Sequence, residues 1–370
     1  MTIALVTGAP GWLGTRLVEC LVQGMDEVAD LSSPLGEREV RCLVLPGSDT
    51  RELAAISPRV RVMQGDLGDP ASLEPFVQGA RGATLFHAAG VIHPTQGTKQ
   101  LYAVNVEGAR RLLELAKREQ VRRFVHVSSN SPIGTNPSSD HVFDESSPYN
   151  PYMKYGHSKM LAEQLVNATG RESALETVII RPPWFYGPRQ PPRQKLFFEM
   201  IQAGKAPIVG NGENRRSMAY VDNICQGLLR CERVDAARGG TYWIADERPY
   251  SMNEILDTIE RVLERDFALP VAHKRMRLPG IMSEVAWLVD KTLQTLGLYH
   301  MKIHVLSEMN KTIACSIEKA KRELGFRPHI ALEEGMRRSI LSLGMGTPQF
   351  APPSARVVPR QATNGVLAAH

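Results

Sequence analysis

Short runs of apolar, often β-branched residues alternate with longer segments of helical periodicity through the first half of this 370-residue chain. The runs predict strands at Ile3–Thr7, Val40–Leu45, Val60–Gln64, Ala83–Ala88, Phe124–Ser128 and Thr177–Arg181. The periodic segments predict helices at Leu13–Gln23, Ser72–Gln78, Leu101–Glu119 and Tyr155–Ala168. Strands that are apolar on both sides and alternate with helices form a parallel sheet covered on both faces. The sequence therefore predicts an α/β fold built on a doubly wound parallel sheet.

A glycine-rich turn joins the first predicted strand to the first predicted helix. Glycines at this spacing allow a tight turn, a close approach of the backbone to a pyrophosphate, and close packing of helix and strand. The free N–H groups at the start of the helix would bind the phosphate oxygens. The turn predicts a dinucleotide site that contains Gly8, Pro10, Gly11, Trp12, Leu13 and Gly14.

The end of the second predicted strand indicates which dinucleotide is bound, because an acidic residue there holds the ribose of NAD. This chain has Leu45 at that place, followed by Ser48, Asp49 and Arg51. Asp49 would suit NAD, whereas Ser48 and Arg51 would suit the additional phosphate of NADP. Both cofactors stay open, with NAD slightly preferred. Contacts with the adenine are predicted after the third strand, at Asp66 and Leu67.

The segment from Pro151 to Lys159 carries the candidate catalytic groups. Tyr155 and Lys159 are four residues apart, so a helix places them on one face. A free tyrosine has a pKa of about 10 and is a poor base at neutral pH unless a cation stabilises its phenolate. Lys159 would supply that cation, and a serine hydroxyl would orient the substrate oxygen. Ser129, after the fifth predicted strand, is the first choice for this serine, and Ser128 is the second.

Together these motifs resemble the extended short-chain dehydrogenase/reductases of the NAD-dependent epimerase/dehydratase superfamily, from Thr2 to about Leu343. Further matching segments are His87–Gly90, Asn105–Gly108, Arg181–Pro188, Gly210–Gly212 and Tyr220–Asn223. The resemblance implies a Rossmann fold and a Ser-Tyr-Lys triad, whose tyrosine exchanges a proton while hydride passes to or from the nicotinamide. It also implies that Asn105 supports the active-site lysine through a water molecule. The implied cofactor contacts are Ala88, Ala89, Gly90, Pro182 and Pro183, and the implied substrate contacts are Val91, Asn130, Trp184 and Phe185.

The alternation of strands and helices loosens after Arg181, which divides the chain into three predicted regions. Residues 1–181 form the NAD(P)-binding domain, to which some later segments return. Residues 182–346 form mainly a smaller C-terminal α/β substrate lobe. Residues 347–370 are rich in proline and small residues without periodicity, which predicts a disordered tail. The turn-forming stretch Gly24–Glu39 delays the second strand and predicts a surface loop insertion.

Two features of the substrate lobe bear on the choice of substrate. The segments Leu278–Tyr299 and Ala314–Pro328 resemble the 3β-hydroxysteroid dehydrogenase branch, whose members carry a long amphipathic helix in the first of them. We expect its apolar face to pack into the core rather than to contact a membrane. The residues of that face are Met282, Val285, Leu288, Val289 and Leu293. Arg215 lies where nucleotide-sugar epimerases bind a diphosphate, a group that suits the forked donors of arginine.

The predicted function is NAD(P)-dependent oxidation or reduction of a hydroxyl or keto group on an apolar, steroid- or terpenoid-like small molecule. A nucleotide-sugar 4-epimerase or dehydratase that uses the same triad is the alternative. A non-catalytic dinucleotide sensor is disfavoured, because the chain retains both Tyr155 and Lys159. Net formation of NAD(P)H distinguishes the first two, since an epimerase returns its hydride within one turnover.

Composition argues against several other classes. The net charge is only +5, and no block of lysine and arginine indicates a nucleic-acid partner. The five cysteines have neither metal-ligand nor redox spacing, so no metal site is predicted. No apolar stretch is long enough to cross a bilayer, and we expect a cytoplasmic protein. Relatives often pair through two helices each, so Leu101–Glu119 and Tyr155–Ala168 are candidates for a homodimer contact.

Overall fold

The computed structural model describes residues 2–350, without the side chains of residues 192 and 193. The strands are β1 (Thr2–Thr7), β2 (Arg38–Val44), β3 (Val60–Gln64), β4 (Thr84–His87), β5 (Arg123–Val127), β6 (Glu176–Arg181), β7 (Trp184–Tyr186), β8 (Pro207–Val209), β9 (Arg215–Arg216), β10 (Met218–Tyr220), β11 (Thr241–Trp243), β12 (Tyr250–Ser251) and β13 (Met276–Leu278). The α-helices are α1 (Trp12–Gln23), α2 (Arg51–Ala55), α3 (Pro70–Val77), α4 (Lys99–Tyr102), α5 (Gly108–Arg118), α6 (Met153–Glu172), α7 (Pro192–Gln202), α8 (Val221–Arg233), α9 (Met252–Phe267), α10 (Ile281–Thr295), α11 (Met301–Glu308), α12 (Glu318–Leu324) and α13 (Leu332–Ser342).

The central element is a seven-stranded parallel sheet with the order β11-β6-β5-β4-β1-β2-β3. Strands β4 and β5 are buried along their whole length, as expected for strands covered on both faces. The predicted doubly wound sheet is therefore confirmed. The strand order reverses between β1 and β4, and such a switch point opens a crevice at the carboxyl ends of the strands.

The seventh strand of the sheet, β11, comes from the second region of the chain and pairs with β6. The later segments also form three two-stranded sheets, which are β10-β7, β12-β9 and β13-β8. Helix α6 packs against α5 on the outside of the central sheet. Pairing of these two helices with a second copy of the chain stays a prediction.

Two predicted loop regions are more ordered than expected. The insertion Gly24–Glu39 is not merely a surface loop, because its residues Met25, Val28 and Leu31 are buried in the main core. The predicted disordered tail is wrong for its first residues, because Gln349 N donates a hydrogen bond of 2.8 Å to Asp266 O. The Phe350 ring packs edge-on against Phe267 at 5.7 Å. The rest of the predicted tail, 351–370, lies outside the described residues.

Helices α10 and α11 form an antiparallel pair, residues 281–308, which we call the cap hairpin. The expectation that its apolar face packs into the core is wrong: Val285 is 56% exposed and Leu288 61%. Met282 and Val289 are exposed as well, and Leu293 is half-buried. The hairpin instead buries polar side chains, which are Ser283, Asp290, Gln294, His304 and Ser307.

The buried side of the cap hairpin is held by hydrogen bonds, which explains why its polar side chains face inward and its apolar side chains face outward. Gln294 Oε1 accepts from the backbone N–H of Lys154 at 3.0 Å, just ahead of the predicted catalytic tyrosine. The Tyr152 and Ser307 hydroxyls are 2.7 Å apart. Within the hairpin, His304 Nδ1 is 2.7 Å from Asp290 Oδ2. No helix among residues 2–350 is both long enough and apolar enough to cross a membrane.

Candidate active site

The glycine turn between β1 and α1 lies at the switch point of the sheet. Gly8 has φ +90°, a conformation that side chains rarely adopt, and a Cβ on Gly14 would lie 2.4 Å from the Gly8 carbonyl oxygen. Residue types larger than glycine would therefore break the contact between β1 and α1. The first turn of α1 contains no acidic residue and its N-terminus has no side-chain cap. Its N–H groups are available to an anion, so this turn fits the pyrophosphate of a dinucleotide.

The other predicted cofactor residues follow the carboxyl ends of neighbouring strands. Thr7 ties β1 to the segment after β4, because its carbonyl accepts from Ala88 N at 3.3 Å and its hydroxyl from Ala89 N at 3.2 Å. Leu67 is buried, whereas Asp66 is exposed and accepts from Gly68 N at 2.7 Å. The remaining predicted residues at this edge are Pro10, Gly11, Trp12, Leu13, Leu45, Gly90, Pro182 and Pro183.

The end of β2 does not favour either dinucleotide. The position next to the strand is occupied by Leu45, which is 57% exposed and offers neither a carboxylate nor a guanidinium. Asp49 and Arg51 pair with each other, with Nη2 and Oδ2 2.6 Å apart. The hydrogen bond from Arg51 lowers the pKa of Asp49 to about 2. The residues at the end of β2 therefore do not decide between NAD and NADP.

Helix α6 brings the catalytic candidates together. Tyr155 and Lys159 lie one turn apart on this helix, which begins at Met153. Burial raises the pKa of Tyr155 to about 12, and a hydrogen bond with the Ser129 side chain acts in the opposite direction. The Ser128 hydroxyl has no hydrogen-bond partner among the described residues. The structure thus brings Ser129, the first choice, to the phenol.

Lys159 is buried between α6 and β5. Its Nζ donates to Val127 O at 2.8 Å and lies 3.3 Å from His126 Nε2. Burial lowers the pKa of Lys159 to about 8, partly offset by the carboxylate of Glu163 one turn further along α6. The ammonium form therefore prevails at neutral pH and can stabilise a phenolate on Tyr155.

Asn105 makes its direct hydrogen bonds to the turn after β4 and to α6, and its implied water-mediated support of Lys159 stays a prediction. It lies in a π-helical segment, Ala103–Glu107, between α4 and α5. Its Oδ1 accepts from Val91 N at 2.8 Å, and its Nδ2 donates to Val91 O at 2.9 Å and to Ser158 Oγ at 3.0 Å. Asn105 thereby fixes the turn after β4 against the catalytic helix, and π-helical segments of this kind often occur at functional sites.

The predicted substrate residues lie on several elements around this point. Phe185 in β7 packs edge-on against Trp12 at 6.2 Å, and its neighbour Trp184 packs against Phe197 at 5.9 Å. Asn130 is half-buried, and its Oδ1 is 3.4 Å from Ser129 Oγ. The substrate roles of these residues stay predictions.

Sequence reasoning missed Glu308, which lies near Tyr155, and Arg216, which lies near Glu308 and Tyr152. The charge of Glu308 acts to raise the pKa of Tyr155, and that of Arg216 acts to lower the pKa of Tyr152. Arg216 donates to the backbone carbonyl of Glu308. Side chains alternate along a strand, so Arg215 and Arg216 point in opposite directions from β9. The sequence shows that two arginines stand side by side at this point, but it does not show which of them faces inward.

The sequence model of the NAD dependent epimerase/dehydratase family matches residues 4–245, about two thirds of the chain. The protein belongs to this family. It is therefore an NAD-dependent enzyme with a Rossmann fold, and the resemblance found in its motifs is confirmed. The start of α1, Tyr155 and Lys159 would hold the dinucleotide.

Several curated proteins are similar to this epimerase-family chain over almost its full length. Uncharacterized protein y4nL of Sinorhizobium fredii is 49% identical over 339 residues, which are 91% of this chain and 94% of that protein. The 3beta-hydroxysteroid-dehydrogenase/decarboxylase isoform 1 of Arabidopsis thaliana is 28% identical, covering 91% and 78%. The 2-alkyl-3-oxoalkanoate reductase of Shewanella oneidensis is 26% identical, covering 92% and 86%.

Solved structures share the fold. The dTDP-glucose 4,6-dehydratase DesIV of Streptomyces venezuelae, solved with NAD bound, superposes with a TM-score of 0.72 at 24% identity. The match covers 93% of this epimerase-family chain and 97% of that protein. Such a likeness supports the architecture and leaves the substrate open.

Proposed function

We propose that this enzyme transfers hydride between a nicotinamide dinucleotide and the oxygen-bearing carbon of an apolar small molecule that also carries an acidic group. The molecule is steroid- or terpenoid-like, as the sequence predicts. The acidic group goes beyond that prediction. The observation that supports the acidic group is the guanidinium of Arg216, which lies beside Tyr152 and forms no ion pair within residues 2–350, since Glu308 acts on it only through its more distant charge.

Arg216 is held in a way that suits an anion. Its Nε is buried without a hydrogen-bond partner, and no acidic side chain among residues 2–350 forms an ion pair with it. Burial lowers the pKa of Arg216, which records the cost of keeping its charge away from water. A carboxylate on the substrate would offset this cost, because it accepts the forked donors of arginine.

The names of two similar proteins support the same chemistry. The Shewanella protein is called a reductase of 2-alkyl-3-oxoalkanoates, and the Arabidopsis protein is called a hydroxysteroid dehydrogenase and decarboxylase. An oxoalkanoate has its keto group and its carboxylate on one small apolar molecule. We extend that combination to this chain because Arg216 and Tyr155 are both close to Glu308.

Each residue of the site has its own role in the proposed hydride transfer. A nicotinamide dinucleotide held by the start of α1, Tyr155 and Lys159 would supply the hydride chemistry. The neutral phenol of Tyr155 prevails at pH 7, so it can give its proton to a substrate oxygen during reduction. In the reverse direction, Lys159 stabilises the phenolate that takes the hydroxyl proton. Ser129 orients the substrate oxygen against Tyr155.

The proposed function is tested by the absorbance of reduced nicotinamide during turnover with NAD or NADP. The substrates are apolar β-hydroxy acids, the same molecules without the carboxylate, and UDP-sugars. We expect net reduced cofactor with the acids and much less with the matched alcohols. Equal rates for acids and alcohols would remove the acidic group from the proposal.

Replacing Arg216 with methionine tests the proposed anion contact. Loss of a charge-assisted hydrogen bond is expected to raise KM for an acidic substrate by about 10- to 100-fold. KM for the matched alcohol should change little. Arg215→Met is the control, since that side chain lies on the other face of β9. If Arg215→Met instead raises KM for the acidic substrate alone, Arg215 rather than Arg216 binds the acidic group.

A nucleotide-sugar 4-epimerase or dehydratase is the second candidate, because an unpaired guanidinium also suits a diphosphate. This enzyme would convert a UDP-sugar without net formation of NAD(P)H. Chromatography of the sugar products distinguishes it from the first candidate.

We also infer that the outer face of the cap hairpin contacts a lipid surface. Its exposed apolar residues are Ile281, Met282, Val285, Leu288, Val289, Leu296, Leu298, Met301 and Val305. Lys291 and Lys302 are exposed on the same hairpin, whereas its exposed acid Glu284 is paired with Lys311. An apolar face flanked by positive charge suits an anionic lipid surface.

Co-sedimentation with vesicles of phosphatidylglycerol or phosphatidylcholine tests this contact. We expect stronger binding to phosphatidylglycerol, weakened by salt, because exposed charges are screened. Leu288→Asp should weaken binding by about 10-fold or more, since a leucine side chain gains about 1.5–3 kcal/mol on leaving water. Leu196→Asp is the control, because Leu196 is similarly exposed on α7. Equal losses for both variants would contradict the assignment.

A further inference from the structure

Two imidazole rings are buried beneath the catalytic lysine. His87 at the end of β4 and His126 near the end of β5 have no exposed surface, and their ring centroids are 5.3 Å apart. Only His126 contacts Lys159, with Nε2 3.3 Å from Nζ. His87 Nδ1 instead lies 2.8 Å from the Thr7 hydroxyl.

Both rings are neutral in the folded protein. Burial lowers the pKa of His87 to about 3 and that of His126 well below its usual value, and the charge of Lys159 adds to both effects. An ammonium group can only donate hydrogen bonds. His126 Nε2 must therefore accept from Lys159, which leaves the ring proton on Nδ1. That Nδ1 has no partner among the described residues.

Two of the three N–H groups of the Lys159 ammonium therefore donate hydrogen bonds within the protein. An ammonium has three N–H bonds. One points to Val127 O at 2.8 Å and one to His126 Nε2. Among residues 2–350, no other acceptor is bonded to Nζ. One N–H is left without an acceptor among the described residues.

We propose that His126 is a positioning residue of Lys159: together with the Val127 carbonyl it fixes the ammonium so that the remaining N–H meets the bound cofactor. The inference rests on the proposed hydride-transfer function. Without an acceptor at position 126, Nζ would have a second unused N–H and would rotate about the bond to Val127. A fixed ammonium loses less conformational freedom when the cofactor binds.

His126 also favours the charged form of Lys159, since it accepts a hydrogen bond that only the ammonium needs. The other groups that face Lys159 are Glu163 and Tyr155 from α6 and His87 from β4. Glu163 is already engaged by Arg181 and Tyr149, whose hydrogen bonds to it are 2.6 Å and 2.8 Å. Removing the imidazole should therefore lower the pKa of Lys159 further.

The test compares His126→Phe, which fills the space but accepts no hydrogen bond, with His126→Gln, whose amide oxygen reaches a similar position. NADH binding is followed by fluorescence from pH 6 to pH 9. We expect His126→Phe to bind NADH about 10-fold more weakly. The pH at which binding weakens should fall by about one unit, and His126→Gln should recover most of both effects. His87→Phe, a control in the same buried layer, should leave that pH unchanged.

Two results would overturn the proposal. One is an unchanged affinity and pH midpoint in His126→Phe. The other is an Nε2-protonated His126 in the wild-type protein, observed by ¹⁵N NMR of labelled histidine, a measurement that needs no variant to fold. NADH titration uses no substrate, so a wrong substrate assignment would appear separately as normal binding without turnover.

Discussion

Replacing Tyr155 with phenylalanine is expected to lower kcat by about 10²- to 10⁴-fold, because the phenol is the proton donor and acceptor of the proposed reaction. The ring itself is retained, so packing around α6 should persist. Binding of NADH should weaken far less than turnover, by about threefold or less, since Tyr155 loses only one hydroxyl while the phosphate contacts at the start of α1 and the ammonium of Lys159 are retained. Stopped-time assays of turnover and fluorescence titration of NADH give the two quantities.

Tyr152→Phe is the matched control for this prediction. Tyr152 lies three residues earlier, and its hydroxyl is engaged with Ser307 of the cap hairpin rather than with Ser129. Loss of its hydroxyl should weaken the attachment of the hairpin and leave most of kcat. Near-full activity in Tyr155→Phe, or an equal loss in both variants, would refute the role given to Tyr155.

Replacing Glu163 with alanine is expected to lower the free energy of unfolding by about 3–5 kcal/mol, the usual effect of breaking a buried ion pair. Glu163 is fully buried and binds Arg181 through two hydrogen bonds of 3.0 Å and 2.6 Å. It also accepts from the Tyr149 hydroxyl at 2.8 Å. Its loss would leave the Arg181 guanidinium buried without a counter-charge. Urea unfolding followed by circular dichroism measures the change.

The surface pair Arg248–Glu254 provides the comparison, because it has the same chemistry in contact with water. Glu254→Ala should cost about 1 kcal/mol or less. A loss of similar size in both variants would mean that burial of the Glu163 pair does not determine its contribution.

The dinucleotide edge of the molecule was predictable because its chemistry is local. The glycine turn must follow a strand and begin a helix, and Gly8 and Gly14 meet that requirement in the structure. The predicted bounds of the strands also lie close to the observed ones, although β2 begins at Arg38 rather than Val40. The helix predicted at Leu101–Glu119 is interrupted by a π-helical segment. Within that segment Asn105 bonds to Val91 and Ser158, contacts that the sequence alone does not reveal.

The orientation of the cap hairpin was predicted wrongly for a physical reason. Periodicity identifies the apolar face of Leu288 and its neighbours but does not say what lies opposite that face. The usual rule that apolar faces turn inward assumes that the inner partner is apolar too. Here the inner partners are polar, since Lys154 N and the Tyr152 hydroxyl require hydrogen bonds to Gln294 and Ser307.

The sequence by itself determined the parallel sheet, the dinucleotide turn and the pairing of Tyr155 with Lys159, because each depends on residues close together in the chain. Only the tertiary structure decided that Ser129 rather than Ser128 meets the phenol, that His126 touches the lysine, and that Arg216 lies beside Tyr152 and Glu308. These contacts join β5, α6 and β9, which are separated by tens of residues. Their distances are set by how the sheet and the second region pack, and that packing follows from the whole core rather than from any one motif.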